Sequence, residues 1–260
     1  MNKKMMAVLI ASTIFPGVAL AWTAGGSGGS VDIGGNIEVK APGTPWEVDV
    51  GSAVTTLDAR ISRGEKAVSI PLTRSIPVLG LRNKTKMPFP GQTGITPQID
   101  FNGAVDTRSF RGGVTTMELP VMDADNPATQ IGLLQTQLTA AARMSAGNLD
   151  GTYAENIDMF AAVPGEAFFG GLPENELTMA ADAVATLAAI SPDYAANYVA
   201  LSPEDATPGN GALSDGDTRF NGYYGAGIQA GHKIILTLRA PAASELIKWK
   251  ASLPVTVSWQ

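Results

Sequence analysis

A single histidine, His232, stands between Gly231 and Lys233, and it is the one imidazole this 260-residue chain offers to general-base or metal chemistry. A serine triad would need a nucleophile on a strained strand-to-helix elbow beside it, and no such elbow presents one. With no cysteine, thiol catalysis and thiolate metal sites are excluded. Asp123, Asp125 and Asn126, and again Asp215 and Asp217, place oxygen ligands at short spacing, but neither group continues to the distal glutamate of a calcium loop. Both read as turns. Among 24 acidic side chains some pair always has glycosidase spacing, so that signal carries no weight. The glycine-serine run 25–29 lacks the Gly-Lys-Ser/Thr ending of a phosphate loop and is a tether. His232 is expected at the surface or a strand edge, and neither a cofactor nor a metal is expected.

What remains is the chemistry of the backbone. Residues 30–39 read SVDIGGNIEV, placing Val31, Ile33, Gly35, Ile37 and Val39 on one face of a strand and Asp32, Gly34, Asn36 and Glu38 on the other. The strand hangs on the tether, with little to hold it against its own domain. Such a strand needs a sheet, and that sheet can belong to another molecule. Gly35 leaves a gap in the apolar row, which predicts close backbone approach at a narrow part of the receiving groove. The pattern alone leaves a second reading open, in which this is the chain's own first strand. At the other end Leu253, Val255, Val257 and Trp259 alternate inward against polar neighbours, either as an ordinary last strand or as one lacking a neighbour.

The elements that must position these ends come next. Residues 1–21 carry Lys3 and Lys4, an apolar run and Ala19-Leu20-Ala21 at cleavage spacing, the pattern of a secretory signal peptide. The mature chain is expected to begin near Trp22, without a membrane helix. A net charge of −6 argues against a nucleic-acid partner, and the short basic stretch Arg82, Lys84, Lys86 reads as a solvated loop. Strand-like stretches recur at 46–50, 67–73, 95–101, 114–121, 130–138, 232–239 and 253–259, separated by Gly and Pro turns, which reads as one β-sandwich domain. Residues 174–190 depart from that pattern: Leu177, Ala181, Val184 and Ala188 fall at helical spacing. Ser191-Pro192 predicts a second helical start, capped by Ser191, with Tyr194 and Tyr198 on one face. Strands resume at Tyr223, so the fold class is all-β with a helical insert at about 174–221.

A tethered apolar strand in front and an alternating strand with a penultimate aromatic behind resemble bacterial fimbrial subunits built by the chaperone-usher pathway. Within that group, Trp22 and the stretch from Gly29 to Ile37 resemble the mature start of the K-eighty-eight (F-four) fimbrial subunits of enterotoxigenic Escherichia coli. Trp46-Glu47-Val48, Ile95-Thr96-Pro97-Gln98-Ile99, Met117-Glu118-Leu119-Pro120, Phe168-Phe169-Gly170-Gly171-Leu172 and the stretch from Tyr224 to Gly231 are similar and in the same order.

The resemblance implies an incomplete immunoglobulin-like sandwich lacking its last strand and completed by a donor strand. Residues 22–40 would form the donor extension, with Val31, Ile33, Gly35, Ile37 and Val39 facing the groove, and residues 41–260 the pilin domain. Leu253, Val255, Val257, Trp259 and Gln260 would form the acceptor groove and the chaperone contact, although Trp259 stands where the family more often has tyrosine. It implies neighbouring subunits, a periplasmic chaperone and an outer-membrane usher as partners, and a fimbrium on the cell surface, reached through the periplasm. The implied role is structural, and the length suits a minor or assembly subunit. The alternative is an adhesin binding a host glycoconjugate, for which Tyr194, Tyr198, Tyr223 and Tyr224 would be the stacking candidates; a face holding Tyr194 and Tyr198 also reads as core. An enzyme or lectin of another class would instead pack its N-terminal strand within its own domain.

Overall fold

Alternation becomes strand wherever one face meets the core. A computed structural model describes residues 43–243 and 246–260, so the predicted signal peptide and the predicted donor strand at residues 31–39 lie outside the described residues. In chain order the strands are β1 (Trp46–Val50), β2 (Ala67–Pro71), β3 (Ile76–Asn83), β4 (Phe89–Pro90), β5 (Pro97–Asp100), β6 (Val114–Asp123) and β7 (Gln130–Asn148). They continue with β8 (Ala154–Met159), β9 (Thr207–Gly209), β10 (Thr218–Ile228), β11 (Lys233–Leu238), β12 (Trp249–Ala251) and β13 (Thr256–Trp259). One α-helix, α1 (Ala183–Ala188), lies in the insert. The fold is all-β with a small helical insert, and its sheets are open.

Each of the seven predicted stretches contains a strand. The large sheet runs β1-β3-β10-β7-β11-β2, with β6, β8, β4, β9 and β12 joined at its flanks, and a small second sheet pairs β13 with β5. Met117, Leu119 and Val121 of β6 and Ile234, Leu236 and Leu238 of β11 all point into one core.

Strand β7 organises the large sheet. Its first half lies between β6 and β11, its second between β10 and β8. In the first half Leu134, Thr136 and Leu138 are buried and residues 133, 135 and 137 are exposed; beyond 138 both faces are buried. The strand was expected to stop at 138 because alternation stops there. It stops because the second face acquires a cover, and a doubly buried strand no longer alternates.

That cover is the insert, which differs from its prediction. The expected helix over 174–190 is a 3-10 turn at Glu176–Thr178 followed by the six-residue α1. Helical phase begins only where the Asp182 carboxylate accepts the Ala185 N–H at 2.9 Å, because upstream the Thr178 carbonyl is taken by the Gly113 N–H. The inward residues are therefore Ala183 and Leu187, while Leu177 and Val184 are 88% and 41% exposed. Ser191 makes no side-chain cap; Pro192 opens a second 3-10 turn at Pro192–Ala195.

Tyr194 of that turn lies over Gly80 of β3 and Gly225 of β10, which face each other in the strand register. A Cβ on either glycine would come within 2.5 Å of its ring, and the Tyr194 hydroxyl donates to the Ala226 carbonyl at 3.2 Å. Tyr223, Leu187, Ile190 and Ala141 complete this second small core.

Burial raises the ionisation of Tyr194, Tyr198, Tyr223 and Tyr224 above the ordinary tyrosine range, Tyr223 to about 12. The hydrogen bond to Glu155 first, then burial, raises the fifth, Tyr153, to about 12. A raised acid favours the neutral form in the fold, so this contribution is complete below the unfolded value near 10 and is lost as pH climbs through the folded values. Spectrophotometric titration should show no tyrosinate near pH 10 in the native subunit, then several tyrosines released together with loss of near-UV ellipticity. Tyrosinate appearing near pH 10 before unfolding would contradict the packing described.

Candidate functional site

The carboxyl-terminal strand is held on one edge only among the described residues. Thr256, Val257, Ser258 and Trp259 of β13 pair antiparallel with Asp100, Ile99, Gln98 and Pro97 of β5. Beyond them Gln260 and Thr96 exchange backbone hydrogen bonds at 3.0 and 2.9 Å. Leu253, Val255, Val257 and Trp259 are each half-buried against the main core, with every intervening residue exposed. The predicted alternation is thus present across 252–260, although regular pairing begins only at Thr256.

A second run shares these properties. After Gly51, whose N–H donates to the Val78 carbonyl, residues 52–61 make no backbone hydrogen bond to another described residue, while Leu57 and Ile61 rest half-buried on the same core. This run leads from β1 toward the 62–66 turn, where the Gly64 N–H meets the Ala242 carbonyl. Residues 252–259 travel the opposite way, from β12 to Gln260 beside Thr96, next to the Ile95 carbonyl that accepts the Trp46 indole N–H at 2.9 Å. Leu57 and Ile61 of the first run and Leu253, Val255, Val257 and Trp259 of the second thus rest on the same core, while 52–61 and the outer edge of β13 have no strand partner among the described residues.

The far edge of β5 is closed by the Phe168–Leu172 stretch. The Phe168 N–H donates to the Pro97 carbonyl at 2.8 Å and the Ile99 N–H to the Phe169 carbonyl at 2.8 Å. Phe168 is fully buried with φ of 63°, a left-handed conformation that a bulky residue holds only when its surroundings fix it. It stacks on Tyr224 at 5.5 Å and meets Trp46 edge-on at 5.5 Å. Gly170 follows at φ of 82°, where a Cβ would stand 2.0 Å from the Ile99 carbonyl oxygen. Gln98 locks the loop, donating to the Pro97 and Glu166 carbonyls and accepting from the Gly165 N–H. Beside this sheet a cleft of about 410 Å3 is lined by Gln98, Asp100, Phe169, Ser258 and Gln260 among others.

No group of three or more potential metal-ligating side chains occurs among the described residues. Asp123 accepts the N–H groups of Asp125 and Asn126 at 2.8 and 3.2 Å, and Asp215 accepts the Asp217 N–H at 3.0 Å, so both acidic stretches are Asx turns as predicted. His232 sits one residue ahead of β11, half-buried. The four tyrosines considered for sugar stacking serve the cores instead: Tyr194, Tyr223 and Tyr224 are at most 5% exposed, and Tyr198 packs edge-on against Tyr223 at 5.1 Å.

The sequence matches, over residues 2–260, the family described as "Fimbrial, major and minor subunit". The chain belongs to this family of fimbrial subunits. The subunit is 30% identical to K88 fimbrial protein AD of Escherichia coli over 188 residues, covering 67% of this chain and 65% of that protein. It is 26% identical to K88 fimbrial protein AC of Escherichia coli over 285 aligned positions, covering 100% of both. Against K88 fimbrial protein AB it is 30% identical over 185 residues, covering 66% of this chain and 64% of that protein. The chain thus spans just under two thirds of AD and AB and the whole of AC. The family is structural rather than enzymatic, and membership assigns the subunit to a surface fimbrium in association with other subunits.

Leu57 and Ile61, half-buried on the same core as Leu253 to Trp259, also alternate with polar neighbours in the sequence and were not singled out there.

Proposed function

We propose that this fimbrial subunit is exported to the periplasm and held there by a chaperone that pairs with β13. The outer-membrane usher then polymerises it by donor-strand exchange, building fimbriae that support adhesion to host cells. Residues 22–40 of one copy are the donor extension, and the groove of its neighbour, flanked by Leu253, Val255, Val257 and Trp259, is the acceptor. The observation that carries this reading is that Leu57 and Ile61 on one run, and Leu253, Val255, Val257 and Trp259 on the other, are half-buried on one core while 52–61 and the outer edge of β13 have no strand partner among the described residues. An inserted apolar strand supplies both missing ladders and covers that core. Gln260, exposed at the end of β13, is available to the chaperone.

The register is tested at Gly35. Replacing it by leucine puts a side chain into the row that faces the groove, whereas Asn36→Leu adds one outward. Overpacking of about 1–3 kcal/mol predicts roughly a five- to hundredfold slowing of exchange for Gly35→Leu and little change for Asn36→Leu. Equal effects would refute the register.

A further inference from the structure

We infer that, apart from strand exchange, a second copy of this chain docks its helical insert on the open half of the outer face of β7. On that face residues 139, 141 and 145 lie buried under the insert, while residues 133, 135 and 137 of the same strand are exposed. The open half carries two large apolar side chains, Ile235 and Leu133, at 43% and 39% exposure. By register Leu133 faces Thr237 and Ile235 faces Gln135, so the two lie diagonally on adjacent strands. The alternation of β11 places Lys233 and Arg239 on this side, and Lys250, opposite Met122, joins them at its edge. The acid of the face, Glu118, is engaged by the Gln135 amide. The result is an apolar centre with a mainly basic border.

The insert has the complementary make-up. Residues 144–218 contain no Lys or Arg and twelve of the chain's 24 acidic residues. Leu177, 88% exposed, and Val184, 41% exposed, stand on its outer surface with Glu174, Glu176 and Asp182, all exposed, as neighbours. An acid-bordered apolar surface and a base-bordered apolar surface on different parts of one chain fit between copies. A contact of two unlike patches does not close on itself and extends with a fibre.

The absence of native cysteine allows a direct test. Fimbriae are co-assembled from full-length chains carrying Leu177→Cys and full-length chains carrying Ile235→Cys, then oxidised. The mixed disulfide dimer should form at least fivefold above a control pairing Leu177→Cys with Leu149→Cys, since Leu149 is 64% exposed and lies just past the far end of β7. Lys233→Glu should reduce the yield, and Glu176→Lys in the partner chain should restore it. Yields equal to the control, predominant Leu177–Leu177 linkage, or insensitivity to both charge reversals would overturn the inference. The readout is contact between copies in the assembled fibre and does not depend on which segment joins them, so failure of strand exchange would be scored separately.

Discussion

Deleting residues 22–40 should abolish polymerisation while leaving capture by the periplasmic chaperone intact. The deletion removes Val31, Ile33, Ile37 and Val39, each worth about 1.5 to 3 kcal/mol on full burial, together with a ladder of backbone hydrogen bonds worth on the order of 1 kcal/mol each. In the sequence this is the alternating apolar stretch that follows a glycine-serine run. The acceptor side is untouched, because 52–61 and 252–259 belong to the remaining domain, so the chaperone keeps its strand to pair with. Size-exclusion chromatography and electron microscopy of the co-expressed chains measure both outcomes. Polymer from the deleted chain, or a full-length chain that is a stable monomer without a chaperone, would refute strand exchange.

The second large effect is expected at Gly225→Val. The first atom of the new side chain would stand 2.4 Å from the Tyr194 ring and 2.7 Å from Leu187, both from below the insert. The strand cannot retreat, since β3 and β7 flank it on either edge. Overpacking of about 1–3 kcal/mol adds to the lost burial of Tyr194 and Leu187, so the loss should be about 3 kcal/mol or more in chemical denaturation. Tyr194→Ala alone should cost about 3–5 kcal/mol. In that background Gly225→Val should cost much less, a coupling that a double-mutant cycle reads directly. Additive effects would mean that the ring and the glycine do not oppose each other.

The same contact explains what the sequence did and did not disclose. Period-two stretches such as Met117-Leu119-Val121 and the run from Lys233 to Leu238 announced their strands because each has one wet face. Strand β3 and the front of β10, ahead of Tyr223, escaped notice: Gly80 and Gly222 look like loop residues, yet they are small because Tyr194 and Met144 respectively occupy the space a side chain would take. That cause is tertiary and leaves no local signal. The insert's apolar spacing predicted one helix over 174–190, whereas the regular helix spans Ala183–Ala188 and buries Ala183 and Leu187, since the phase of a six-residue helix is set by where Asp182 caps it. At the site, alternation located Leu253 to Trp259; at Leu57 and Ile61 it spans only a few residues and forms no regular strand among the described residues. Residues 31–39 read as an alternating strand in the sequence and lie outside the described residues.

The latch on β5 has a mechanical consequence. Among the described residues β13 is bonded to the rest of the domain through β5 and its continuation at Thr96, and β5 is clamped on its far edge by Phe168, Phe169 and Gln98. A strand seated along β13 would pass any pull on the fibre sideways into this clamp. Hydrogen bonds that lie across the direction of a pull share the load and must fail together, whereas bonds opened from one end fail singly. The strained, buried Phe168 would then be the anchor bolt of a shear joint, and the tensile strength of the fimbrium would be set at this loop as much as at the inserted strand.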